Sequence, residues 1–210
     1  MSLCTGGGHC GIFRADLREP PRLSRKMDLR MAHPFYTIGH GTRSIDGFVS
    51  LLGSVEVTLL TDVRTVPRSR TNPQYNLDAL PRSLAPFGIA YQHVAALGGL
   101  RGRERSVPLE VNGFWENESF HNYADYAMSA RFREGLAHLR ELGKRQRCAI
   151  MCAETVWWRC HRRIITDYLL AADETVFHIL APGHVAMANM NEAARVQADG
   201  RLVYPAVPIR

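Results

Sequence analysis

The chain has 210 residues, 46% of them hydrophobic and 22% charged, with a formal net charge of +6. That length and mix describe one soluble domain able to bury a core without staples, and no apolar run approaches the ~18–20 residues of a membrane span. Five cysteines, an odd number without framework spacing, exclude a disulfide scaffold and point to a reducing compartment, the cytoplasm, while the N-terminus lacks the apolar stretch of a secretory signal.

Residues 1–33, with Gly6-Gly7-Gly8, Pro20-Pro21 and scattered Arg, show no period and read as a disordered leader ahead of a single domain over residues 34–210. The leader supplies +3 of the +6, so the charge of the remainder is no argument for nucleic acid. Cys4, His9 and Cys10 have no second Cys/His pair nearby and make no metal site.

Phe35-Tyr36-Thr37-Ile38 is an apolar run ending at Gly39-His40-Gly41, after which Ser44 caps a helix carrying Phe48, Leu51 and Leu52. Val57 to Thr61 predicts a second buried strand, ending in Asp62-Val63-Arg64, and a polar loop with Arg68 and Arg70 follows. A short helix through Leu80 and Leu84, with Pro81 in its first turn, leads to a third strand at Ile89–Val94. Residues 100–118 form a long loop. Phe120, Tyr123, Tyr126 and Ala127 then share one helix face, and Phe132, Leu136, Leu139 and Leu142 another.

Cys148 to Met151 is a fourth apolar run. It ends in Cys152 and Glu154, and a helix opens with Cys160-His161-Arg162. A fifth strand spans Thr175 to Leu180, and a final short helix is expected over Asn191 to Ala198.

Strands alternating with helices predict an α/β fold, a mostly parallel sheet of about five strands with helices on both faces in Rossmann-like layers. In such a sheet the carboxyl ends of the strands form the ligand crevice. Every strand ends in titratable groups: His40, then Asp62 with Arg64, His93, Cys152 with Glu154, and His178. That recurrence points to a site.

Cys160, at a helix start beside His161 and Arg162, stands where dipole and cations favour a thiolate. It is a candidate nucleophile, with His161 or Glu154 as proton carrier and His40 as a further catalytic candidate. Cys152 reads as a small buried core residue, a nucleophile, a metal ligand or half of a redox pair. No metal site is assigned, because Cys-x7-Cys-His is not the tight spacing of structural zinc; only a three-dimensional cluster would restore it. A phosphatase-type loop is rejected, because six residues separate Cys152 from Arg159 and tryptophans stand in place of glycines.

Arg64, Arg68, Arg70 and Arg162 are the candidate anion-binding residues, and Trp157 is a candidate stacking surface for a base. Arg64 sits two residues after Asp62 on the same strand side, so a structural pair is the competing reading; Glu154 is a second internal anion for these arginines.

The set Tyr36-Thr37-Ile38-Gly39-His40, Asp62-Val63-Arg64, Pro67-Arg68-Ser69, Asn72-Pro73-Gln74, Leu97-Gly98-Gly99, Tyr123-Ala124-Asp125-Tyr126 and Cys152-Ala153-Glu154 with Cys160-His161-Arg162 resembles the domain of unknown function 488 family over roughly residues 35–205. The resemblance implies an α/β fold and this residue set. It implies no reaction.

Two functions remain open. One is an enzyme acting on a phosphorylated, nucleotide-like or nucleic-acid substrate. The other is a non-catalytic module binding a nucleotide or nucleic acid through the same Arg-rich rim. The expected partner is thus an anionic small molecule or nucleic acid and not a membrane, and the cofactor and oligomeric state stay unassigned.

Overall fold

The computed structural model describes residues 33–206. The expected disordered leader therefore lies outside the described residues except for His33, as do Cys4, His9 and Cys10. Five strands run parallel: β1 (Phe35–Gly39), β2 (Leu59–Asp62), β3 (Ala90–His93), β4 (Cys148–Cys152) and β5 (Val176–Ala181). A sixth, β6 (His184–Met187), folds back antiparallel on β5, giving the order β3-β2-β4-β1-β5-β6.

The helices are α1 (Ile45–Gly53), α2 (Leu80–Leu84), α3 (Glu118–Ala127), α4 (Ala130–Gly143) and α5 (Arg162–Ala171). Ser44 caps α1 by accepting from Gly47 N, Asn117 caps α3, and Ser129 caps α4.

Right-handed crossovers decide which face each helix takes. From β1 the chain moves outward through β2 to β3, and α1 and α2 lie against one face, with Phe48, Leu52, Leu80 and Leu84 in its core. The chain then reverses, returning to β4 and crossing to β5. The helices of that return, α3, α4 and α5, lie on the other face with Tyr123, Phe132, Leu139 and Ile164. The pleat serves both layers: Cys148, Ile150 and Cys152 point to the second core, Ala149 and Met151 to the first.

The helix expected at Asn191 to Ala198 is not formed. Asn191 N donates to Asp167 and Asn191 Oδ1 accepts from Ala193 N, but the first N–H groups a helix would pair internally, from residue 195 on, belong instead to a hairpin, in which Gln197 N donates to Arg201 O. β7 (Arg195–Val196) and β8 (Leu202–Val203) make this small hairpin, turned at Gly200 with φ +79°. No helix of the described residues is long and apolar enough to cross a membrane.

Candidate functional site

β2, β4 and β1 are neighbours, and their carboxyl ends meet: Gly39 is level with Cys152, and Asp62 with Met151. The loop after β4 leaves toward the α5 side, whereas the loops after β2 and β1 leave toward the α1–α2 side. A crevice opens where neighbouring loops part in this way. The side-chain alternation that fills two cores also divides the titratable groups into two clusters.

On the α1–α2 side Asp62 and Arg64 form a closed pair. Arg64 Nε donates to Asp62 Oδ1 at 2.9 Å, and its Nη2 donates to Asp62 Oδ2 and Tyr75 O, both at 2.6 Å. Tyr91 Oη donates to Asp62 Oδ2 at 2.7 Å. His40 stacks on the Tyr75 ring at 4.1 Å. Its Nδ1 donates to Gly41 O, which leaves Nε2 to face Arg64 Nη1 at 3.4 Å. Burial lowers the His40 pKa, and the Arg64 charge adds to that.

On the α5 side lie the thiols. The Cys152 and Cys160 sulfurs are 2.7 Å apart, one at the end of β4 and the other just before α5. α5 has no side-chain cap; its first N–H, from Arg162, faces the Cys160 sulfur at 3.5 Å. Arg162 Nε approaches the same sulfur at 3.4 Å, and Nη2 donates to the Glu154 carbonyl at 2.5 Å. His161 Nε2 lies 2.9 Å from Val63 O, which requires the hydrogen on Nε2. Nδ1, 3.4 Å from the Cys160 sulfur, is then the ring atom turned toward the thiols.

Arg162 is 1% exposed, and among the described residues no carboxylate is ion-paired with it. A guanidinium withdrawn from water needs a counter-charge. The nearby histidines do not supply one, and a Cys160 thiolate does. Burial works to raise the Cys160 thiol, but the Cys152 S–H, His161 and Arg162 overcome it and hold Cys160 well below the usual thiol range. Burial and the neighbouring thiolate push Cys152 up, so it stays the S–H donor of the pair.

The two sulfurs open onto a cavity of about 280 Å³ lined by Gly99, Ser119, Phe120, Cys152, Ala153, Glu154, Arg159, Cys160 and His161. Of the residues expected from sequence, Cys152, Cys160, His161 and Glu154 line this cavity. Glu154 is exposed, its carboxylate accepting from Val156 N. Arg162 lies behind the thiols, Arg64 and His40 belong to the other cluster, and Arg68 and Arg70 are exposed on the loop after β2. Trp157 stacks on the buried His178 at 4.0 Å.

Cys152, Cys160 and His161 do come together in space, each offering a donor atom within 4.8 Å of the others. That is the three-dimensional clustering that the spacing alone does not announce. Sequence reasoning missed Arg159, Ser119 and Phe120 as lining residues. The exposed Arg159, directly before Cys160, carried a signal in its position; Phe120 and Ser119 come from a helix far off in sequence and carried none.

No curated protein and no solved structure matches the chain. The sequence pattern of the family described as domain of unknown function DUF488 matches residues 44–169, a span that holds every cavity-lining residue. The chain belongs to the DUF488 family.

Proposed function

We propose that the protein is an enzyme that presents the Cys160 thiolate as a nucleophile to a small anionic substrate held in the cavity beside it. The observation that carries this reading is the buried Arg162, which among the described residues has no carboxylate partner and which faces the Cys160 sulfur at 3.4 Å. A structural cysteine needs no such cation. His161 Nδ1 and the exposed Glu154 carboxylate are the proton carriers within the same cavity.

Arg159 at the rim supplies the charge for a phosphate or carboxylate group, and Phe120 an apolar wall. At about 280 Å³ the space is at the small end of ligand pockets, ~300–1,000 Å³. A phosphorylated or carboxylated small molecule suits it better than a whole nucleotide or a nucleic-acid strand. The competing reading, a non-catalytic nucleotide or nucleic-acid module, leans on the exposed Arg68 and Arg70 and leaves the paired thiols without a task.

Alkylation kinetics test the proposal. Iodoacetate should modify Cys160 in the wild type at a pH well below the ordinary thiol range, and Cys160→Ser should abolish that reaction. Arg159→Ala should slow iodoacetate by roughly 5-fold, since an exposed charge contributes up to about 1 kcal/mol, and leave neutral iodoacetamide unchanged. A Cys160 that reacts only at alkaline pH, like a free thiol, would overturn the reading.

A further inference from the structure

The nucleophile has a second sulfur in contact with it, and nucleophilic attack alone gives Cys152 no role. We propose that Cys152 is a resolving thiol, and that the pair performs dithiol–disulfide exchange with a small anionic disulfide. This rests on Cys160 being the nucleophile and names the substrate class of the same cavity.

The geometry separates this from a metal site. Two thiolates on one tetrahedral zinc, at about 2.3 Å each, sit roughly 3.8 Å apart. The sulfurs here are 2.7 Å apart, at the ends of two packed elements, and need only a small approach to bond. Charge argues the same way. Arg162 and one thiolate are neutral together, whereas a divalent cation on two thiolates would leave the buried Arg162 charge uncompensated.

In the first step the Cys160 thiolate attacks one sulfur of the substrate disulfide, forming a mixed disulfide and expelling one substrate thiolate. That thiolate takes up the proton of Cys152, passed by way of His161 Nδ1, and departs as a thiol. The Cys152 thiolate then attacks the Cys160 sulfur, the mixed disulfide breaks, and the second substrate thiolate leaves past Arg159. Two protein thiols are oxidised and one disulfide is reduced, with one negative charge on each side.

The same charge pairing governs the return. Oxidation removes the anion that Arg162 faces, which disfavours the disulfide relative to the thiolate. The oxidised pair should therefore reopen readily with a dithiol reductant, which a repeating exchange needs.

The test uses the full chain with Cys4 and Cys10 changed to serine, and as probes the disulfide of thionitrobenzoate, an aromatic carboxylate, and dithiodiglycolate, the disulfide of mercaptoacetate. The parent protein should release two thionitrobenzoates per chain. Peptide mapping should then find Cys152 joined to Cys160, with neither sulfur carrying an adduct. Cys152→Ser should release one and keep the other as a stable mixed disulfide on Cys160, and dithiodiglycolate should likewise give the Cys152–Cys160 disulfide in the parent and a trapped adduct in Cys152→Ser.

A parent protein that keeps the mixed disulfide on Cys160 would overturn the resolving role while leaving the nucleophile intact. No reaction at Cys160 would remove both readings together. Stoichiometric zinc binding by the reduced protein, abolished in Cys152→Ser and blocking both probes, would assign the cluster to a metal and overturn the exchange.

Discussion

Arg64, just past β2, and Arg162, at the start of α5, are both buried, yet they serve different ends because their partners differ. Arg64 meets a carboxylate with two of its nitrogens, a geometry that pairs the two charges, and its third nitrogen faces His40 at 3.4 Å. Arg162 meets sulfur and a carbonyl, and its charge is spent on the ionisation of Cys160. Arg64→Ala is therefore expected to behave as a core lesion. It leaves Asp62, 0% exposed, without its cation, and should cost about 3–5 kcal/mol in urea unfolding. Asp62→Asn in the same chain should restore part of that loss, because the orphaned charge goes with it. A loss under about 0.5 kcal/mol for the single change would instead mark Arg64 as a solvated, ligand-directed side chain.

At the scale of elements, the thiol pair depends on how closely the loop after β4 crosses the end of β1. Gly39 makes that crossing possible: a Cβ there would collide with the Glu154 carbonyl oxygen and the Thr155 backbone. The same carbonyl accepts from Arg162 and lies 3.7 Å from the Cys152 sulfur. Gly39→Ala should thus destabilise the protein by about 1–3 kcal/mol, the usual cost of overpacking, and move the alkylation profile of Cys160 toward higher pH. Gly53, where a Cβ meets open space at the end of α1, is the control. Gly53→Ala should leave that profile unchanged and raise stability by roughly 0.5–1 kcal/mol.

For the whole molecule, two buried groups act against each other as pH changes. Burial, aided by the Arg162 charge, lowers His178 from 6.5 to about 4. Its depressed value makes a contribution that is complete above pH 6.5 and lost as pH falls toward 4, because the unfolded state takes the proton first. Burial, opposed by the hydrogen bonds from Asn191 N and Tyr204 Oη, raises Asp167 from 3.8 to about 6. Its contribution is complete below 3.8 and lost as pH rises through 6.

Each amounts to about 3 kcal/mol across its window, and the two slopes have opposite sign. Wild-type stability should change little with pH between about 4 and 6 on their account. In Asp167→Asn it should rise with pH over that interval, and in His178→Gln it should fall; urea midpoints at stepped pH read both. Parallel profiles for all three proteins would show that neither group is shifted.

The alternation of apolar strands with amphipathic helices was legible residue by residue, since periods of 2 and 3.6 are local properties of the chain. So was the gathering of His40, Arg64, Cys152 and Glu154 at one sheet edge, because parallel strands with right-handed crossovers leave few arrangements. The helix expected from Asn191 failed because Arg195 and Val196 pair with Val203 and Leu202, so the groups that would bond within a helix bond across a hairpin instead.

Sequence alone did not reveal that the edge is two clusters. Side-chain alternation puts Asp62 and Arg64 on the α1–α2 face and Cys152 on the α5 face, and which face is which follows only from where the chain reverses direction. Nor does a spacing of Cys-x7-Cys state that two sulfurs touch. That contact is made by the end of β4 and the start of α5, and their separation is set by the packing of strand, loop and helix together. Phe120 and Ser119 reach the cavity by the same long-range packing, so their part in it existed only once the chain had folded.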